Sequence, residues 1–102
     1  MEQIFIDVPD MNDSVLRIVL CEKQYQIRFT WNEEGQFWMF GLMDSLGTPI
    51  LIGVKIVPQF PLNLFSGNEE IPFGFFAAFT DNERIGRQDF INGKAKFAFV
   101  KV

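Results

Sequence analysis

Read from the middle outward, the chain alternates apolar and polar residues with period two. In "YQIRFTW", Tyr25, Ile27, Phe29 and Trp31 fall on one side and Gln26, Arg28 and Thr30 on the other. A helix would scatter these apolar residues around its circumference, so the pattern predicts a half-buried strand. "NEEG" follows as a four-residue turn, with Gly35 expected at positive φ. "QFWMFGLM" is apolar on both faces and predicts a strand covered on both sides, or one whose outer face meets a partner. The two strands are expected to pair as a hairpin with Tyr25, Ile27, Phe29 and Trp31 inside.

The same punctuation recurs on either side. "QIFIDV" is a short strand closed by Pro9, and "SVLRIVL" is a strand that "CEKQ" turns into the next. "DSLGTP" is a turn with Gly47 late in it, and Pro49 opens "ILIGVKIV". Gly53 inside that strand points to a bulge or a close backbone approach. "PQFPLNLF", with Pro58 and Pro61, predicts an irregular edge or loop. "FGFFAAF" and the terminal "KAKFAFVKV" are strands. In the terminal one Phe97 and Phe99 share a face with Ala95, and Lys96, Ala98 and Val100 take the other. The one helical candidate, "ERIGRQDF", is broken by Gly86. About seven short strands with turns every 8–12 residues predict an all-β, antiparallel sandwich or small barrel. The 102 residues suit one domain spanning 1–102.

Composition narrows the function. Apolar residues make up 48% of the chain and aromatics 16%, which excludes a disordered tail. Thirteen phenylalanines are more than a thin two-layer core can hold, so some are expected to face a partner. The net charge is −4, and the lysines and arginines are scattered, so neither nucleic acid nor an anionic membrane is an expected partner. "MEQIFIDVPD" has no basic segment or long apolar run, and no signal peptide is expected. Cys21 is the single cysteine, which fits a reducing compartment.

Candidate chemistry is sparse. The chain has no histidine, the commonest general base and metal ligand. Cys21 therefore has no histidine to activate it and is read as a passive turn thiol. Asp81, Glu83 and Asp89 cluster near one loop, but they lack the alternate-residue oxygen spacing of a calcium site and are interleaved with Arg84 and Arg87. A solvated, salt-bridged loop is expected there. No catalytic, cofactor-binding or metal-binding residues are assigned. The remaining candidates are apolar. Trp31 shares a face with Tyr25 and is expected in the core. Trp38 or Phe40 is expected to be exposed if its strand is an outer one. With Phe60, Leu62, Leu64 and Phe65 they make the expected protein interface.

The order "YQIRFTWN", "GQFWMFGLMD", "GTPILIGVKIVP", "PLNLF" and "DNERIGRQDFINGKAKFAFV" resembles a family of small phage and prophage tail proteins that includes the plug-like protein of the cyanophage baseplate. The likeness runs over about 3–102. Its markers are Trp31 with Asn32, Trp38, Asp44, Gly47 with Pro49, Gly53 and the loop 81–90. It implies an all-β structural protein of the virion, made in the host cytoplasm and seated at the tail baseplate against hub or tube proteins, with a homo-oligomer as a further expectation. It supplies no catalytic residues. A small β-module binding a ligand or peptide in an aromatic-lined pocket is the alternative reading of the same residues.

Overall fold

The computed structural model describes residues 2–59, 62 and 74–101. They form seven strands: β1 (Glu2–Ile6), β2 (Asp13–Leu20), β3 (Lys23–Asn32), β4 (Phe37–Asp44), β5 (Pro49–Lys55), β6 (Gly74–Thr80) and β7 (Ala95–Lys101). There is no helix among the described residues. All strand pairs are antiparallel, in a four-stranded sheet ordered β2-β3-β4-β5 and a three-stranded sheet ordered β1-β7-β6. The sheets are open, so of the two expected architectures the sandwich is the one formed.

Pattern becomes packing in the β3–β4 hairpin. Trp31 pairs with Trp38, Phe29 with Phe40 and Ile27 with Leu42, and directly opposed residues share a face. All six side chains are buried. Opposite them the three-stranded sheet contributes Phe76, Phe97 and Phe99. Rings meet across the layers at 5.1 Å for Phe29 and Phe97 and 5.2 Å for Phe40 and Phe76, mostly edge-on or tilted, as ring quadrupoles favour. Phe97 also touches Phe40, Phe76 and Phe90 and stands at the centre of the cluster.

The turns differ from expectation in two places. In the β3–β4 turn the positive φ falls on Gln36 (57°), not Gly35. Gly35 is needed there for space, because a Cβ would overlap the Phe37 ring. Asn32 Oδ1 accepts the Gly35 N–H at 2.8 Å and fixes the turn's entry. The β2–β3 turn uses two residues rather than four. Leu20 pairs with Lys23, and Cys21 (51°) and Glu22 (67°) both take positive φ, the backbone of a type I′ turn. Neither is a residue that turn favours. Cys21→Asn with Glu22→Gly is expected to stabilise the protein by about 1–2 kcal/mol, read as a higher midpoint in urea. A lower midpoint would show that the turn is not strained.

The bulge expected at Gly53 is present. Phe40 pairs with Val54 and Leu42 with Leu51, so Ile52 and Gly53 together oppose Gly41. Gly53 adopts φ 59° there. Gly41 leaves room for β5, since a Cβ on it would lie 3.0 Å from the Leu51 carbonyl oxygen. A second slip, between Leu42 and Met43, makes β5 an irregular edge. On the other sheet the edge of β6 is shielded. Gln59 N–H donates to Ala78 O and Leu62 N–H to Phe76 O, each at 2.8 Å. Part of the irregular "PQFPLNLF" segment thus lies along β6, while Phe60, Pro61, Asn63, Leu64 and Phe65 lie outside the described residues.

Candidate protein interface

The structure rearranges the expected interface. Trp38 is 0% exposed and Phe40 1%, so the expectation that one of them faces solvent is corrected: both point into the core. The physical reason is register. Counting outward from the turn places Trp38 opposite Trp31 and Phe40 opposite Phe29, on the inward face. Leu62 is half-buried and packs against the core cluster. Phe60, Leu64 and Phe65 lie outside the described residues.

Apolar side chains are exposed on the outer faces of both sheets. On the four-stranded sheet the alternates of the buried residues, Met39, Gly41 and Met43, face outward beside Thr30 and Arg28. The bulge lifts Ile52 to 80% exposure. Between β3, β4 and β5 lies a shallow apolar groove of about 390 Å³ lined by Arg28, Thr30, Met39, Met43, Pro49 and Ile52 among others. Methionine adapts its shape to what it meets, which suits such a floor. Asp13 and Arg28 form a bidentate ion pair on the same face, at 2.8 Å to Nε and 2.6 Å to Nη2. The hydrogen bonds from Arg28 hold the Asp13 carboxyl below its usual range. Its folded pKa is depressed, so the stability it contributes is present above the ordinary value of 3.8 and is lost as pH falls through the folded value.

On the three-stranded sheet the outer face carries Phe5, Phe75 and Phe79 around Ala77, Ala98 and Val100. The alanines and the valine are nevertheless buried, whereas Phe5 is 55% exposed with Lys96 Nζ 5.4 Å from its ring centre. The expected grouping of Lys96, Ala98 and Val100 on one face of β7 is found, and of the three only Lys96 is polar. Beside it, a depression of about 250 Å³ is lined by Phe5, Phe90 and Phe97 with Asp7 and Lys96 among others.

The loop 81–94 closes one end of the sandwich and is less solvated than expected. Ile85 is buried, and the Phe90 ring lies 6.2 Å from that of Trp38. Arg87 sits over Trp38 at 5.1 Å, its Nε donates to Asn12 Oδ1 at 2.9 Å, and its Nη1 lies 3.1 Å from Asp10 Oδ1. That last contact is an ion pair by distance without the angle of a hydrogen bond. Asp89 Oδ2 accepts the Gly86 N–H at 2.7 Å, a turn role rather than a ligand role. Among the described residues no three histidine, cysteine or carboxylate side chains converge on a metal-sized site. Cys21 is exposed at its turn. No helix of the described residues is long and apolar enough to cross a membrane.

Sequence reasoning missed Ile52, Leu46 and Phe5, which are all well exposed. The one available signal was Gly53, since a bulge turns its neighbour's side chain out of the regular alternation.

The protein is of the all-β class, a two-sheet antiparallel sandwich with an aromatic core. Its particular family follows from comparison: residues 1–101 match the family model described as cyanophage baseplate Pam3 plug gp18. The chain belongs to that family of baseplate plug proteins, and is a structural component of the virion tail. No curated protein matches it.

Proposed function

We propose that this protein plugs the tail baseplate by binding hub or tube proteins, without carrying out a reaction. The observation that carries this reading is the family match over 1–101. The outer face of the four-stranded sheet supports it. Met39, Met43, Pro49 and Ile52 offer an apolar seat, and Arg28 with Asp13 gives it a polar margin. A plug must seat and later release, which suits an apolar centre of moderate size with a charged rim. Net charge −4 keeps the protein from holding the passing genome. Leu62, which lies along β6 in the other sheet, is proposed together with Phe60, Leu64 and Phe65 as a further part of the interface. Folding in the host cytoplasm before assembly fits the lone, unpaired cysteine.

The test is capture of purified hub protein by wild type and by Met43→Lys and Ile52→Lys. Each charge placed in the groove is expected to weaken capture at least about tenfold. Both residues sit on the outer face, so stability should stay within about 0.5 kcal/mol of wild type. Undiminished capture by both variants would remove the groove from the interface.

A second reading, a ligand- or peptide-binding module, is favoured by the depression under Phe5, Phe90 and Phe97. It predicts that Phe5→Ser abolishes peptide binding and leaves hub capture intact.

A further inference from the structure

The four strand edges are not treated alike. β5 carries two irregularities and Pro49, β6 is shielded by Gln59 and Leu62, and β1 has five residues. Strand β2 has eight residues, no proline, no glycine and no bulge, and pairs only with β3 among the described residues. Long regular edges invite another strand, and proteins usually blunt them.

The hydrogen-bonding parity of β2 is set by its neighbours. Leu20 and Lys23 close a two-residue turn, and Asn12 O accepts from Trp31 N–H at 2.8 Å. The even-numbered residues of β2 therefore bond to β3. Asp13, Val15, Arg17 and Val19 turn their N–H and C=O groups outward. Their side chains lie on the outer face, where Val15 is 52% and Val19 58% exposed. Leu16 and Ile18, on the inner face, pack against the core but are only partly buried at this edge.

We infer that β2 is a self-pairing edge, and that its partner is β2 of a second copy, antiparallel about a two-fold axis at Val15. Charge selects the register. Centring on Val15 sets Asp13 opposite Arg17 of the second copy, and Arg17 opposite its Asp13. Centring on Arg17 would set two guanidinium groups face to face, and centring on Leu16 would set Arg17 against valine. Arg17 has no ion pair among the described residues, so it is available for this contact, and Asp13, already held by Arg28 of its own chain, would be shared between the two guanidinium groups. Each hydrogen-bonded pair exchanges two backbone bonds, giving roughly six between copies. The two four-stranded sheets become one continuous sheet, and the exposed flanks of Leu16 and Ile18 are covered. This inference stands on strand geometry and does not depend on the plug reading.

Sedimentation of the full chain over a concentration series tests it. The mass should rise toward twice the 11.8 kDa monomer. Val15→Pro removes an N–H that β3 does not use, so the variant should keep its fold and sediment as a monomer. Arg17→Asp and Asp13→Arg should each weaken self-association about tenfold. Mixing the two should restore pairing, because every cross-strand contact is then between opposite charges. That mixing arm reads the register even if Val15→Pro fails to fold. A wild type that is monomeric at all concentrations overturns the inference, as does a dimer that Val15→Pro leaves intact, or a mixture that does not re-pair. A monomer whose capture of a baseplate protein is lost on Val15→Pro assigns the edge to a foreign strand, and overturns self-pairing.

Discussion

Phe97→Ala is expected to destabilise the protein by about 3–5 kcal/mol, the range for removing a large buried ring. Phe97 is fully buried at the centre of the inter-sheet cluster. Its ring lies 5.1 Å from Phe29, 5.2 Å from Phe40, 5.8 Å from Phe76 and 6.3 Å from Phe90. Truncation strips four rings of a neighbour at once. Three of those rings, Phe29, Phe40 and Phe76, sit on strands paired within the two sheets, so the backbone cannot collapse into the space. Small domains have only about 5–15 kcal/mol of stability in total, so the loss is a large fraction of it. Urea unfolding followed by tryptophan fluorescence measures this. A loss under about 1 kcal/mol would mean that the two sheets are not packed through Phe97.

Trp38→Ser should be at least as damaging, at about 4 kcal/mol or more, because it adds a buried hydroxyl to the cavity. Trp38 has no exposed surface, meets Trp31 at 5.4 Å and Phe90 at 6.2 Å, and carries the Arg87 guanidinium over its ring. Losing it unseats the loop that closes the end of the sandwich. The milder Trp38→Phe should cost less, since Trp38 Nε1 is buried without a hydrogen-bond partner among the described residues and nothing is left unpaired by removing it. Calorimetry of the two variants separates these effects. A Trp38→Ser protein that melts like wild type but fails to capture hub protein would restore Trp38 to the interface.

How legible these features were depends on the polarity of each strand. "YQIRFTW" has one polar face, so its alternation fixed which residues point inward, and Tyr25, Ile27, Phe29 and Trp31 are all buried. "FWMFGLM" has no polar face, so periodicity alone could not orient it, and Trp38 and Phe40 were placed on the wrong side. Counting across the turn would have resolved this, because antiparallel partners share a face and Trp31 lies opposite Trp38. The bulge was readable from Gly53, but not its effect on Ile52, which depends on where β5 meets Gly41. Loop 81–94 was readable as charged and not as structural. Its anchors, Asp10 and Asn12, come from the far end of the chain, and only the fold brings them to Arg87. The type I′ turn at Cys21 and Glu22 carried no local signal, since neither residue is a turn former of that kind.

Cryo-EM of tail baseplates assembled with and without this chain tests its place in the virion most directly. The expected result is density for two packed β-sheets at the hub or tube, present only when the chain is supplied, with the Met43 and Ile52 face against a neighbouring subunit. Identical baseplate maps from the two preparations, with no density that fits the sandwich, would contradict a role as a structural plug.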